Sequence, residues 1–217
     1  MATYVLIHGS EHCSWYWHLV APQLEACGHD VVVVDLPCDD DSAGLKEYAD
    51  TVVEGVGDRR ELILVAHSFG AFTAPLVCER LQVSLMVLVA AMVPRPGESA
   101  DEWWENTGHR FPEPFDPATV FAHDLPEQLA AELPSHLRRQ SDTPFRDPWP
   151  LDAWPDVSTR FLLCRQDRFF PAEFQRRVVQ ERLGLVADEM ESGHLAALSS
   201  PDELVRLLED FRTSMTP

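Results

Sequence analysis

The sequence predicts an α/β fold: a doubly wound, mostly parallel sheet with an inserted helical cap. Three observations predict it. Short, continuous apolar runs rich in β-branched residues recur along the chain. Helical patterns separate them. One long block, from Pro94 to Pro155, breaks the alternation and is dense in proline and tryptophan. Strands without polar alternation are buried on both faces, as in a parallel sheet covered by helices. Right-handed crossovers then make the topology open and doubly wound.

The elements follow in order. Thr3 to Ile7 is apolar after its polar start, and Gly9 follows closely. Trp15 to Ala26 has helical spacing and stops at Gly28. Val31 to Val34 reads as a buried strand, and Leu45 to Val56 as an amphipathic helix. Leu62 to Ala66 is a strand, Phe69 to Leu81 a helix, and Leu85 to Val89 a strand. The alternation stops after Val93. From Pro94 to Pro155 the chain holds 11 of its 17 prolines and four of its six tryptophans, with helical pieces at Ala118 to Asp124 and Gln128 to Gln140. Linkers are poor in aromatics, yet Trp103, Trp104, Phe111, Phe115 and Phe121 lie here. Residues 94–157 therefore read as a cap, inserted into a core formed by 1–93 and 158–217. The core resumes with a strand at Arg160 to Cys164, a helix at Ala172 to Leu183 and a short strand at Leu185 to Glu189. A helix from Pro201 to Phe211 closes it, with proline in the first turn.

Composition narrows the function. The 217 residues suit one domain carrying an insertion. Thirty-six acidic residues against 17 basic ones leave a net charge of −19. Such a surface repels phosphate backbones and anionic lipid, so neither nucleic acid nor membrane is an expected partner. No apolar run approaches the roughly 18 residues of a membrane span. The N-terminus lacks a basic segment followed by an apolar one, so a cytoplasmic location is expected. The cysteines (Cys13, Cys27, Cys38, Cys78 and Cys164) are widely spaced with no C-x-x-C pair, and read as reduced, buried thiols.

The strongest chemical signal is Ala66-His67-Ser68-Phe69-Gly70, where a strand passes into a helix. A nucleophile at such an elbow is exposed above the sheet by a tight, strained turn. Small residues two positions either side of it avoid clashes. The plainer reading is an N-cap serine. A serine hydroxyl needs a base, and the base needs an orienting acid. His194, in Ser192-Gly193-His194-Leu195 after the last strand, is the base expected here. Asp167, in Gln166-Asp167-Arg168 past another strand's carboxyl end, is the acid. Its plainer reading is a surface carboxylate paired with Arg165 or Arg168. The carboxyl ends of the strands are where open α/β sheets bind ligands. An oxyanion would take backbone N–H groups from Phe69 and from Ser10, with Gly9 allowing close approach. His8 and His12 are spaced as metal ligands could be, but no third ligand stands out, so no metal is expected. His67 reads as packing or polar support for the elbow.

These motifs resemble the α/β-hydrolase family, and within it the small plant-type methyl esterases and hydroxynitrile lyases. His8-Gly9-Ser10-Glu11-His12, the Ser68 elbow, Asp167-Arg168-Phe169-Phe170-Pro171 and Gly193-His194-Leu195 fall in the family's order. The resemblance covers 3–93 and 158–212; the cap carries no recognisable motif. The lyases of that group have threonine in place of Gly9 and lysine in place of Leu195, so both positions point to ester hydrolysis. The resemblance implies a serine esterase, which needs no metal or organic cofactor, with a homodimer left open; the aromatic residues of the cap suggest that its ester is small and mostly apolar. A lyase, C–C hydrolase or amidase would use the same three residues. A non-catalytic small-molecule binder of the same fold is the remaining alternative. A dinucleotide-binding sheet would need G-x-G-x-x-G after the first strand, where Gly9 stands alone.

Overall fold

Six apolar segments form one sheet in a computed structural model that describes residues 1–214. The last three residues of the expected core segment lie outside the described range. The strands are β1 (Thr3–Ile7), β2 (Asp30–Val34), β3 (Leu62–His67), β4 (Val83–Val89), β5 (Thr159–Cys164) and β6 (Asp188–Met190). Their order is β2-β1-β3-β4-β5-β6, and every neighbouring pair is parallel.

Successive side chains of a strand point to opposite faces, and both faces here are apolar. Val5, Ile7, Leu64, Ala66, Met86, Leu88, Phe161 and Leu163 join one core, with Val52 and Val56 of the Leu45–Val56 helix and Val178 and Val179 of the Ala172–Leu183 helix. Tyr4, Leu6, Ile63, Val65, Val87, Val89 and Leu162 join the other, with Leu24, Leu204 and Leu208. Each fully buried side chain of this kind stabilises by about 1.5–3 kcal/mol. An ion pair as exposed as Lys46–Asp50 is screened by water and salt, so the two cores dominate.

The sheet order has a functional consequence. The chain leaves β1 outward to β2 and returns to β3 on the other side of β1. Their connections therefore diverge above the carboxyl ends of β1 and β3, the switch point that favours a ligand crevice.

The excursion between β4 and β5 carries helices at Ala100–Thr107, Pro117–Phe121, Glu127–His136 and Thr143–Arg146. It lies over the carboxyl edge of the sheet. The Trp149 indole donates to the Phe72 carbonyl at 3.1 Å, and the Phe145 ring stacks on Phe69 at 4.2 Å. The helix at Ala100–Thr107 escaped the periodicity reading. Its signal was local: Ser99 Oγ accepts from the Glu102 amide at 3.2 Å, and Glu102 accepts from the Ser99 amide at 2.9 Å.

Proline accounts for two other departures. The helix expected over Trp15 to Ala26 is a 3₁₀ turn at Ser14–Trp17 and a short helix at Ala21–Ala26, because Pro22 starts a helix and cannot continue one. The helix expected after the elbow is likewise a 3₁₀ turn, Ser68–Phe72, followed by Ala74–Val77 with Pro75 in its first turn. The last strand, expected at Leu185 to Glu189, runs from Asp188 to Met190. Cys27, expected as a buried thiol, is exposed.

Candidate active site

β3 ends at His67, and Ser68 turns the chain with φ of +50°. A non-glycine residue there is strained by about 1–2 kcal/mol, which surrounding contacts must offset. Gly70 is one reason the turn closes. A Cβ at Gly70 would stand 2.8 Å from the His8 carbonyl oxygen and 3.1 Å from that of Ile7. The elbow thus presses directly on the end of β1, where only glycine fits.

The structure brings Ser68, His194 and Asp167 into one row. Ser68 Oγ lies 3.2 Å from His194 Nε2, and His194 Nδ1 lies 2.7 Å from Asp167 Oδ2. The Asp167 and His194 side chains are buried, at 0% and 4% exposure. Asp167 Oδ1 accepts from the Phe169 and Phe170 amides at 2.8 and 2.9 Å, so donors hold both oxygens and fix the carboxylate. A carboxylate can only accept. The His194 proton therefore sits on Nδ1, and the Nε2 lone pair faces the serine hydroxyl. Asp167 does not pair with its neighbouring arginines. Arg165 bonds Glu191, and Arg168 donates to the Thr119 carbonyl.

The loop after β1 meets the elbow. A Cβ at Gly9 would lie 3.0 Å from both Ser68 Cβ and His67 Nδ1. Ser10 follows Gly9, and Phe69 follows Ser68. Phe121, Phe169 and Phe170 lie around His194, with ring centroids 5.3, 5.5 and 5.2 Å from its own.

The remaining histidines nearby are engaged elsewhere. His8 Nε2 accepts from the Leu36 amide, and Nδ1 donates to the Gly9 carbonyl. This is a neutral ring with both nitrogens occupied by backbone. Burial is the main cause that lowers its pKa to about 4 and that of His12 to about 3. His67 is held well below the usual histidine range, by burial first and then by the neighbouring imidazoles. Its Nε2 donates to the His194 carbonyl at 2.9 Å, while Tyr16 stacks on it at 4.5 Å. Among the described residues no group of three or more His, Cys, Asp or Glu side chains is placed to hold a metal.

Three contacts had no signal in the sequence: His67 to His194, His123 to the Gln166 carbonyl, and Asp124 to the Gly193 amide. Each joins residues far apart in the chain, and none follows a periodicity.

A model of the alpha/beta hydrolase family matches residues 4–207. The chain belongs to that family. Among family relatives, it is 26% identical over 255 residues to polyneuridine aldehyde esterase of Rauvolfia serpentina, covering 97% of this chain and 96% of that protein. It is 28% identical over 247 residues to methylesterase 7 of Arabidopsis thaliana, covering 94% of each. The solved structure of a polyneuridine aldehyde esterase superposes with a TM-score of 0.82 at 24% identity, over 97% of this chain and 99% of that one. This hydrolase has esterases among its relatives. Among its described residues no helix is long and apolar enough to cross a membrane.

Proposed function

We propose that the protein is a serine carboxylesterase acting on small, mostly apolar esters. The observation that carries this reading is the unbroken row of Ser68, His194 and Asp167, at 3.2 and 2.7 Å. His194 Nε2 takes the Ser68 proton as Oγ attacks the ester carbonyl. Asp167 holds the imidazole in its tautomer and stabilises the imidazolium that forms. The amides of Phe69 and Ser10 receive the oxyanion, each donor worth about 3 kcal/mol in the transition state. His194 returns the proton to the departing alcohol and leaves an acyl group on Ser68. It then draws a proton from water, which attacks the acyl carbon, and passes that proton to Ser68 Oγ as the acyl–oxygen bond breaks and the acid leaves. Every charge that develops has a partner in these residues, so the cycle needs neither metal nor organic cofactor.

The phenylalanines around His194 support an apolar acyl or alcohol group, because aromatic walls favour apolar substrate surface. Two features support hydrolysis over cyanohydrin cleavage. Leu195 is fully buried in the apolar core beside Ala196 and Ala197, where it offers no cation to a departing anion. Gly9 has no side chain to offer the substrate. The test is turnover of p-nitrophenyl and methyl esters beside amide, cyanohydrin and β-diketone substrates. Ester turnover that Ser68→Ala abolishes supports the reading. Turnover of only the other substrates, or of none, contradicts it.

A further inference from the structure

We propose that Asp124 is a positioning residue for His194, and that through it the 119–124 segment of the cap ties seating of the cap to assembly of the catalytic row. The proposal rests on the esterase reading above, since it assigns Asp124 a part in placing that reaction's base.

Asp124 Oδ2 accepts the Gly193 amide hydrogen at 2.5 Å, one residue before the base. Its neighbour His123 donates from Nε2 to the Gln166 carbonyl at 3.0 Å, one residue before the acid. Two adjacent residues of the excursion therefore grip the two loops that carry Asp167 and His194. Those loops are also joined to each other, the Gln166 amide donating to the Ser192 carbonyl at 2.9 Å. Arg168 donates back to the Thr119 carbonyl at 3.0 Å, and the Phe121 ring lies 5.3 Å from that of His194. The whole 119–124 segment thus faces the base and acid loops.

Two further observations separate this contact from ordinary packing. A Cβ on Gly193 would stand 2.5 Å from Asp124 Oδ1, so a side chain at 193 pushes the Asp124 carboxylate from its place. Asp124 Oδ1 is buried with no hydrogen-bond partner among the described residues. A carboxylate oxygen buried without a donor opposes folding, so Asp124 is a poor choice for stability alone. Such local costs concentrate where geometry serves a site. On the opposite side of the base residue, His67 donates to the His194 carbonyl. The main chain of Gly193-His194 is therefore held from the cap by Asp124 and from the elbow by His67.

The experiment measures kcat and KM for an ester the wild-type protein hydrolyses, on variants with wild-type circular dichroism. Asp124→Ala lowers kcat about tenfold or more with KM within about threefold, because the base is misplaced while the substrate site is unchanged. Asp124→Asn keeps an oxygen to accept the Gly193 amide and retains kcat within about threefold. Gly193→Ala lowers kcat as Asp124→Ala does. Combined with Asp124→Ala it adds less than about twofold, because the atom it collides with is gone. Wild-type kcat in Asp124→Ala overturns the inference. So does an Asp124→Asn variant as slow as Asp124→Ala, or full additivity of the double variant. If Asp124→Ala does not fold, the Asp124→Asn and Gly193→Ala measurements decide alone: a slow Asn variant or a wild-type-like Gly193→Ala overturns it. Absence of ester turnover in the wild type would instead remove the esterase reading, so the two failures are distinguishable.

Discussion

His67 donates its Nε2 hydrogen to the main-chain oxygen of His194 at 2.9 Å, joining the residue before Ser68 to the residue proposed as the base. The ring cannot swing away, because Tyr16 stacks on one face at 4.5 Å and the His194 ring meets it edge-on at 4.9 Å. His67→Phe keeps the bulk and removes the donor. Leaving a buried carbonyl unpaired costs about 1–3 kcal/mol. We expect a lower melting temperature and a kcat reduced about tenfold, with KM nearly constant, in steady-state ester kinetics. An unchanged kcat would show that the bond does not hold the base.

Gly70 fits the elbow because backbone, not side chain, stands opposite it. The His8 carbonyl oxygen, 2.8 Å from where a Cβ would be, belongs to the end of β1 and has no freedom to retreat. Gly70→Ala should cost about 2–3 kcal/mol, lowering the melting temperature by about 5–10 °C in calorimetry. Gly28, whose added Cβ would meet nothing within 4 Å, is the control for crowding. Its φ of +88° adds only local backbone strain to Gly28→Ala.

Acid should destabilise the fold before it protonates most carboxylates. His8 and His12 have folded pKa values of about 4 and about 3, against 6.5 in the unfolded chain. Between those values the unfolded state binds more protons, so stability is full above about pH 6.5 and falls as pH drops towards 4. At pH 5 the loss is about 2 kcal/mol for each ring. Urea unfolding at pH 7.5 and pH 5 checks this: the midpoint should fall markedly. An unchanged midpoint would mean that these rings accept protons in the folded state.

The ion pair of Arg182 and Glu98 lies under the excursion with side chains only 2% and 4% exposed. Arg182 Nη2 reaches Glu98 Oε1 at 2.9 Å, while Glu98 also accepts from the Arg95 amide and from Asn106. Removing Arg182 takes away the cation paired with Glu98 and leaves its buried carboxylate only neutral donors. Arg182→Met should therefore cost about 3–5 kcal/mol, and adding Glu98→Gln should recover part of it, as read from denaturant midpoints. An Arg182→Met protein as stable as the wild type would contradict this.

Much of the sheet was legible in the sequence because a strand buried on both faces leaves an unbroken apolar run. Val31 to Val34 and Leu62 to Ala66 are such runs, and they appear as β2 and β3. The last strand was placed less well. Asp188 and Glu189 lie on an edge strand with one neighbour, and their polar character hides it. The meeting of Ser68, Asp167 and His194 was legible because each follows a strand's carboxyl end, and parallel strands bring those ends to one edge. Asp124 was not legible. It ends the helical piece read at Ala118 to Asp124, which carries no motif, and its partner Gly193 is 69 residues away. Only tertiary structure joins them. The broken helices after Trp15 and Phe69 show proline overriding apolar spacing, at Pro22 and Pro75.

Intact-protein mass after reaction with a fluorophosphonate tests whether Ser68 is the activated nucleophile. One adduct is expected, mapped to Ser68, absent from Ser68→Ala and formed far more slowly in His194→Ala. A folded wild-type protein that takes up no adduct, or a Ser68→Ala protein that labels as fast, would contradict it.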